Sequence, residues 1–150
     1  FSGASKHYEI AVALAKELHD TIAAVDGSVG LALSKRALGD WKSARTLLNR
    51  ALKSYERRGD TEGTAFTLWA LAGTLRVKGD ISNAIKTFKD ALKVFDSIGD
   101  YHGVGYSLCG MGGSSRVEGS FRDSINYYEE ANELFGELGD TFGTAYSHCG

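Results

Sequence analysis

The residues with the greatest capacity for chemistry are two cysteines and four histidines. Cys109, Cys149, His102 and His148 are of the types that bind zinc, which takes four nitrogen or sulfur ligands at a tetrahedral structural site. Zinc motifs have fixed ligand spacings, and none is present here. His148 and Cys149 are also consecutive, so on a helix their side chains would diverge by about 100°. The sequence therefore predicts neither a metal site nor a cofactor.

Carboxylate pairs and a glycine motif offer two further kinds of chemistry. Paired carboxylates can act as general acid and base, but the glutamates within 129–137 have the spacing of a solvated helix face. Gly103 and Gly105 form a Gly-x-Gly motif, yet a phosphate-binding loop joins a strand to a helix and continues into Lys and Ser or Thr. No Ser-His-Asp or Cys-His arrangement can be placed with confidence. The sequence predicts that the chain is not an enzyme.

The composition is that of an ordinary globular chain, with 43% hydrophobic and 24% charged residues and a formal net charge of −2 over 150 residues. Nucleic acid is a poor default partner, because binding to phosphates needs a basic excess. Charged residues interrupt every hydrophobic stretch, so no membrane span is predicted. Two cysteines without a disulfide framework fit the reducing cytoplasm. Because the chain begins at Phe1 without Met or a signal peptide, we expect it to be cut from a longer protein.

Glycine recurs every twenty residues and reveals the elements that position these side chains. The series comprises Gly39, Gly59, Gly79, Gly99, Gly119 and Gly139. Each is followed by Asp, except that Ser120 follows Gly119. Glycine adopts the left-handed conformation that ends a helix, and Asp or Ser caps the start of the next one. The pattern, in a chain without proline, predicts helices of 17 or 18 residues and no strands.

Alternate helices match each other, so the full repeat is forty residues long and contains two helices, A and B. In the B helix the 4-3-4 spacing of Ala84, Phe88, Ala91 and Phe95 predicts a buried stripe. The corresponding stripe of the A helix is Leu68, Leu71, Ala72 and Leu75. The predicted organisation of 1–150 is one array with a partial B helix at 1–18, full repeats at 21–58, 61–98 and 101–138, and a further A helix beginning at 141–150.

These motifs resemble the tetratricopeptide repeat family, whose A helix carries Leu-Gly/Ala-x-x-Tyr and whose B helix carries Ala-x-x-x-Phe/Tyr-x-x-Ala. Leu71-Ala72 with Leu75, and Ala84, Phe88 and Ala91, lie at that spacing. The forty-residue variant is similar to the arrays of kinesin light chains, Pins-type adaptors and bacterial Rap-type or MalT-type regulators. The resemblance implies an all-α fold, a right-handed α-solenoid of antiparallel helix pairs, and a concave groove that binds a peptide or helix.

In that family a second stripe of the A helix lines the groove. The residues at those positions here are Arg36, Phe66, Trp69, Gly73, Arg76, Tyr106, Cys109, Gly113, Arg116 and Tyr146. A structural role stays open for these residues beside the role in binding. The aromatic side chains would pack between neighbouring A helices, and the arginines would serve the C-terminal dipoles of their own helices. The glycines of helix 101–117 would permit close packing, lower the groove floor, or soften the array.

Cys109 and Cys149 occupy equivalent positions, so we expect their Cα atoms to be about 10 Å apart. That separation exceeds the limit of roughly 7 Å for a disulfide, so both thiols are expected to be free.

Three functional hypotheses follow. The first is a protein-interaction module, a scaffold or adaptor whose partner carries acidic side chains or a free C-terminus to face the arginines. The alternative is a regulatory sensor region of a larger signalling ATPase or transcription regulator that responds to a peptide or small ligand. The third is self-association through the open ends of the array.

Overall fold

The computed structural model describes all 150 residues, which form eight α-helices and no strand. The helices are α1 (Ser2–Glu17), α2 (Thr21–Ala37), α3 (Trp41–Arg58), α4 (Thr61–Lys78), α5 (Ile81–Ser97), α6 (Tyr101–Glu118), α7 (Phe121–Glu137) and α8 (Thr141–His148). Each helix packs against the next one along the chain. In addition α2, α4, α6 and α8 contact one another in series, whereas the odd-numbered helices do not. The even-numbered A helices therefore form an inner layer and the B helices an outer layer, and the predicted all-α solenoid is confirmed. None of the helices combines the length and apolar character needed to cross a membrane.

The turns between helices have the predicted chemistry. The six glycines of the twenty-residue series all have positive φ, between 67° and 90°. At the start of all four inner helices an Asp side chain accepts a hydrogen bond from the amide three residues later, as in Asp60 with Gly63 at 2.8 Å. Among the outer helices, Asp40 caps α3 in the same way, whereas the side chains of Asp80 and Ser120 make no capping hydrogen bond at α5 and α7. The side-chain cap that the sequence predicts is therefore absent at these two helices.

The outer helices α3 and α5 bury the stripe that the sequence predicts, with Ala84, Phe88, Ala91 and Phe95 all buried in α5. The inner helices differ from one another. In α6 the residues equivalent to the predicted A stripe are all buried, namely Leu108, Met111, Gly112 and Ser115. In α4 Leu68, Leu71 and Leu75 are only half-buried, and the buried residues of that helix are Ala65, Thr67, Ala70, Ala72, Gly73 and Thr74. The physical reason is that an inner helix has neighbours in both layers, so small side chains occupy the sides where helices approach most closely.

A steric pairing fixes the distance between the two layers. The ring of Phe88 in α5 lies where a Cβ at residue 110 of α6 would be, and a side chain there would overlap it. The same relation holds twenty-two residues apart in two other repeats, for Tyr8 with Gly30 and for Tyr128 with Gly150. Where the outer residue is instead Leu48, the inner residue is Ala70, and both are buried in one core cluster. A larger outer side chain is thus matched by a smaller inner one.

The remaining glycines of α6 are explained by the same packing. Gly103 lies against the ring of Phe95, Gly105 against that of Phe135 and Gly112 against that of Tyr128. Gly105 and Gly110 both lie against rings of the core, which favours the close-packing interpretation of these two glycines. Eleven residues of α6 are buried, so the packing does not favour a soft point at this helix.

We predict that the side-chain volumes at positions 88 and 110 compensate for each other. Gly110→Ala should destabilise the chain by about 1–2 kcal/mol, because overpacking outweighs the better helix propensity of alanine. Phe88→Leu should cost roughly 1 kcal/mol. The double variant recreates the Leu48–Ala70 pair. Its loss of unfolding free energy should be at least about 1 kcal/mol smaller than the sum of the two single losses. Urea unfolding measures all three.

Gly136→Ala in α7 is the matched control, since no atom lies within 4 Å of the added Cβ. It should leave stability unchanged or raise it. A double variant whose loss equals the sum of the single losses would show that the two positions do not share one volume.

His19 yields a second prediction, because it has a φ of 55° at the turn position that glycine takes elsewhere. The left-handed conformation costs an L-residue about 1–2 kcal/mol, part of which is offset by the greater freedom of glycine in the unfolded chain. His19→Gly should therefore stabilise the chain by about 0.5–1 kcal/mol in thermal or urea unfolding. His19→Ala, which removes the imidazole but keeps the Cβ, should give no such gain. Equal gains from both variants would mean that the imidazole, not the backbone, is unfavourable.

Candidate functional site

The side of the inner layer that faces away from the outer helices carries large side chains. We call it the inner face and define it by Arg36, Phe66, Trp69, Arg76, Tyr106, Arg116 and Tyr146. Phe66 is 42% and Tyr146 50% exposed, whereas Trp69, Tyr106 and the first two arginines are half-buried. These residues come from α2, α4, α6 and α8 at equivalent places in successive repeats. The structure thus brings seven of the ten predicted groove residues onto one surface.

The aromatic side chains of the inner face form two pairs of rings. The rings of Phe66 and Trp69 are 5.7 Å apart, and those of Tyr106 and Tyr146 are 6.2 Å apart. Trp69 Nε1 donates a hydrogen bond to the carbonyl oxygen of Tyr106 at 3.3 Å, which links α4 to α6. Trp69 also packs against all three core clusters. These aromatic side chains therefore pack between neighbouring inner helices and also leave ring edges exposed. The packing role and the exposed surface thus belong to different parts of the same side chains.

The arginines reach across to the next inner helix. Arg36 Nη1 donates to the carbonyl oxygen of Ala70 at 3.2 Å, and Arg116 Nη1 donates to that of Gly150 at 2.7 Å. Each acceptor is thirty-four residues further along the chain. The guanidinium of Arg36 also lies 5.9 Å from the centre of the Trp69 ring. Although these arginines stand in the last turns of their helices, these hydrogen bonds link successive repeats instead of capping their own helices.

No carboxylate lies within salt-bridge distance of Arg36, Arg76 or Arg116. Burial and the like charge of Arg76 both lower the pKa of Arg36. Between these two arginines is a cavity of about 140 Å³, lined by Arg36, Trp69, Gly73, Arg76, Phe88, Tyr106, Gly110 and Tyr146. The basic edge of the inner face, which we define as Arg36, Arg76 and Arg116, therefore carries positive charge that the chain itself does not neutralise.

Gly73, Cys109 and Gly113 are buried beneath the surface that they were expected to line. A Cβ at residue 73 would come within 2.5 Å of Arg36 Nη1, and one at residue 113 within 2.7 Å of Arg76 Nη1, so the glycines leave room for the guanidinium groups. Cys109 is only 3% exposed and belongs to a core cluster. Its small, weakly polar side chain suits that apolar position.

The opposite edge of the inner face carries carboxylates, which the sequence reasoning treated only as helix caps or did not consider. A cavity of about 340 Å³ is lined by Asp26, Tyr55, Asp60, Glu62, Gly63, Phe66, Phe95 and Asp100. Tyr55 donates its hydroxyl hydrogen to Asp26 at 2.6 Å, and burial together with this hydrogen bond raises the pKa of Tyr55. The recurrence of Asp at the start of each inner helix was the signal available in the sequence. We call Asp26, Asp60, Glu62 and Asp100 the acidic edge.

No group of three or more His, Cys, Asp or Glu side chains is placed to hold a metal ion.

We predict that the two thiols differ sharply in reactivity. Both cysteines are free, with Cys109 buried and Cys149 exposed. Burial raises the pKa of Cys109 to about 11. At pH 8 only a small fraction of Cys109 is therefore in the thiolate form, which is the form that attacks reagents. At pH 8 one thiol should react rapidly with DTNB, and the second only after unfolding in urea. Cys149→Ser should abolish the rapid reaction.

Rapid reaction of both thiols in the folded chain would contradict the burial of Cys109. A bridge between residues 109 and 149, detected by non-reducing mass spectrometry, would contradict the repeat geometry.

Comparisons with known proteins bear on the fold. Solved structures with a similar fold include that of BtubC (BKLC) from P. vanneervenii, with a TM-score of 0.79 and 22% identity over 97% of this chain and 62% of that one. The apo form of RapI is similar with a TM-score of 0.76 and 17% identity over 97% of this chain and 42% of that one. This chain spans less than two thirds of either protein.

The sequence comparison identifies the family. No curated protein matches the chain. Residues 21–97, which are more than half of the chain, match the family described as tetratricopeptide repeat. Together with the paired helices, this match shows that the chain belongs to the tetratricopeptide repeat family.

Proposed function

We propose that this chain is a non-catalytic protein-interaction module, with a scaffold or adaptor role, that binds a peptide or helix of a partner on its inner face. The observation that carries the proposal is the basic edge, where three arginines without a carboxylate partner stand beside exposed aromatic rings. Aromatic and arginine side chains are the types that dominate binding energy at interfaces. Family membership supports a general role in protein interaction.

The partner is expected to present acidic side chains or a free C-terminal carboxylate. Arg36 and Arg76 line the same small cavity, and burial together with the charge of Arg76 lowers the pKa of Arg36. A carboxylate placed between them would relieve that repulsion and accept charge-assisted hydrogen bonds from both. Since Arg36 already uses Nη1 on Ala70, its remaining donors are held in a fixed direction by that hydrogen bond. This pre-organisation lowers the entropic cost of binding.

The setting that we propose is the cytoplasm, where a buried and an exposed free thiol both persist in reduced form. The alternative role as a signal-sensing region depended on a soft glycine-rich helix, and the close packing of α6 does not favour it. The interaction role is therefore the one that we retain.

The test is selection of a phage-displayed random peptide library against the immobilised chain. We expect enriched peptides to contain Asp or Glu together with apolar residues. Phe66→Ser should weaken their binding about tenfold, because truncating an aromatic anchor costs on the order of 1–2 kcal/mol. Gly73→Ala should also weaken binding, since its methyl group would displace the guanidinium of Arg36 while meeting no other side chain within 4 Å. Fluorescence anisotropy of synthetic peptides, with free and amidated C-termini, measures these effects.

Ile10→Ser is the matched control, because Ile10 is 57% exposed on the outer helix α1 and lines none of the cavities at the inner face. It should leave peptide affinity unchanged. Gly73→Ala should not lower the unfolding midpoint, which separates its effect on the site from an effect on the fold. Failure to enrich any peptide, or equal losses in Phe66→Ser and Ile10→Ser, would contradict binding on the inner face.

A further inference from the structure

A third cavity on the inner face has a lining unlike that of the basic edge. Its volume is about 340 Å³, and its lining residues are Phe66, Trp69, Phe95, Asp100, His102, Gly103 and Tyr106. Four of these seven residues are aromatic, and Asp100 is the single acidic one. Neither this cavity nor the adjoining one at the acidic edge is lined by a lysine or an arginine. We call it the aromatic cavity.

The carboxylate of Asp100 lacks a cationic partner. Its Oδ1 accepts the capping hydrogen bond from the amide of Gly103 at 2.9 Å, and it takes part in no ion pair. The adjoining cavity shares Phe66, Phe95 and Asp100 with this one and adds the other carboxylates of the acidic edge. Glu62, which lies in the first turn of α4, also forms no ion pair.

Within the acidic edge Asp60 is the one carboxylate with a cationic partner. Arg58 pairs with Asp60 at 3.4 Å, whereas Asp26 accepts the hydrogen bond of Tyr55. Nε2 of His102 lies 3.8 Å from Asp140, so Asp140 is a further carboxylate beside a residue that lines the aromatic cavity. Burial and, as a smaller cause, the charge of Asp140 raise the pKa of Tyr106.

We propose that the aromatic cavity binds a cationic side chain, lysine or arginine, of the partner segment. Aromatic faces attract a cation through their quadrupole, and a nearby carboxylate adds direct Coulomb attraction. A hard metal ion is disfavoured, because the lining offers one carboxylate where such an ion needs several oxygen ligands. The inference rests on the proposed function, since it names the chemistry of one side chain of that partner.

The proposal also gives the partner a polarity. Phe66 at the aromatic cavity and Arg76 at the basic edge are ten residues apart on α4, which corresponds to about 15 Å along a helix. A partner that fills both places therefore carries a cation and a carboxylate about 15 Å apart, a span of roughly five residues of extended chain. Its direction across the inner layer is then fixed by charge.

The probe for the test is N-acetyl-arginine amide, and its neutral isostere is N-acetyl-citrulline amide. The chain has two tryptophans, so the indole N–H signals of a ¹⁵N-labelled sample report on Trp69 in the cavity and on Trp41 as an internal reference. Trp41 already has the ammonium groups of Lys42 and Lys78 within 6 Å of its ring. We expect arginine amide to shift the Trp69 signal saturably, citrulline amide to have much less effect, and the Trp41 signal to stay in place.

Asp100→Asn is the decisive variant, because asparagine caps a helix as well as aspartate does and so removes only the charge. It should weaken arginine amide binding about three- to tenfold. Asp40→Asn is the matched control, since Asp40 caps α3 through Ser43 at 3.1 Å and lines neither cavity. The arginine amide concentration at half-saturation should be the same for Asp40→Asn as for the unmodified chain.

Three results would each overturn the proposal. They are equal responses to arginine and citrulline amides, no saturable shift at Trp69, and an unchanged arginine amide concentration at half-saturation in Asp100→Asn. These failures are distinct from failure of the proposed function. If selected peptides depend on Phe66 and Gly73 while arginine amide does not bind, the inner face is a peptide site without a cation subsite. If arginine amide binds as expected and no peptide is selected, the cation site stands and the peptide-binding role fails.

Discussion

The contact between an outer aromatic ring and an inner glycine is the constraint on which the structure depends. Phe88 and Gly110 occupy one shared volume, and so do Leu48 and Ala70 at the equivalent place in the preceding repeat. A ring and a Cβ cannot both occupy that volume, so the sum of the two side chains stays nearly constant although each member changes. Protein cores are packed closely enough that a change of one methyl group is felt. The constant sum therefore keeps successive helix pairs at the same separation, and that regularity places equivalent side chains in rows.

The small residues of the inner helices follow from the same constraint. Ala65, Ala70 and Ala72 are fully buried in α4, whereas the two aromatic residues of that helix, Phe66 and Trp69, lie on the inner face. A glycine in a helix costs up to about 1 kcal/mol relative to alanine, but burial of a phenylalanine ring contributes about 1.5–3 kcal/mol. The glycines of α6 are thus compatible with a closely packed helix.

Local chemistry made much of the fold predictable, whereas the site depends on contacts between repeats. The Gly-Asp turns predict helix ends because the conformation and the cap each involve only a few consecutive residues, as at Asp100 and Gly103. The inner stripe was misjudged in α4, since the pattern of Leu68, Leu71 and Leu75 does not reveal how many neighbours a helix has. The hydrogen bond from Arg36 to Ala70 spans thirty-four residues and leaves no local pattern. The burial of Cys109 likewise depends on a core cluster that α4, α5, α6 and α7 build together.

The charge pattern of the inner face follows from the folding signals themselves. Each inner helix needs an acceptor at its first turn, and Asp60, Asp100 and Asp140 supply it. Cations are favoured in the last turn, where Arg36, Arg76 and Arg116 stand. Because alternate helices of an antiparallel array run in the same direction, the caps stack at one edge and the arginines at the other. The same residues that start and end each helix therefore give the inner face opposite charges at its two edges, and a partner of uneven charge can satisfy both edges in only one orientation.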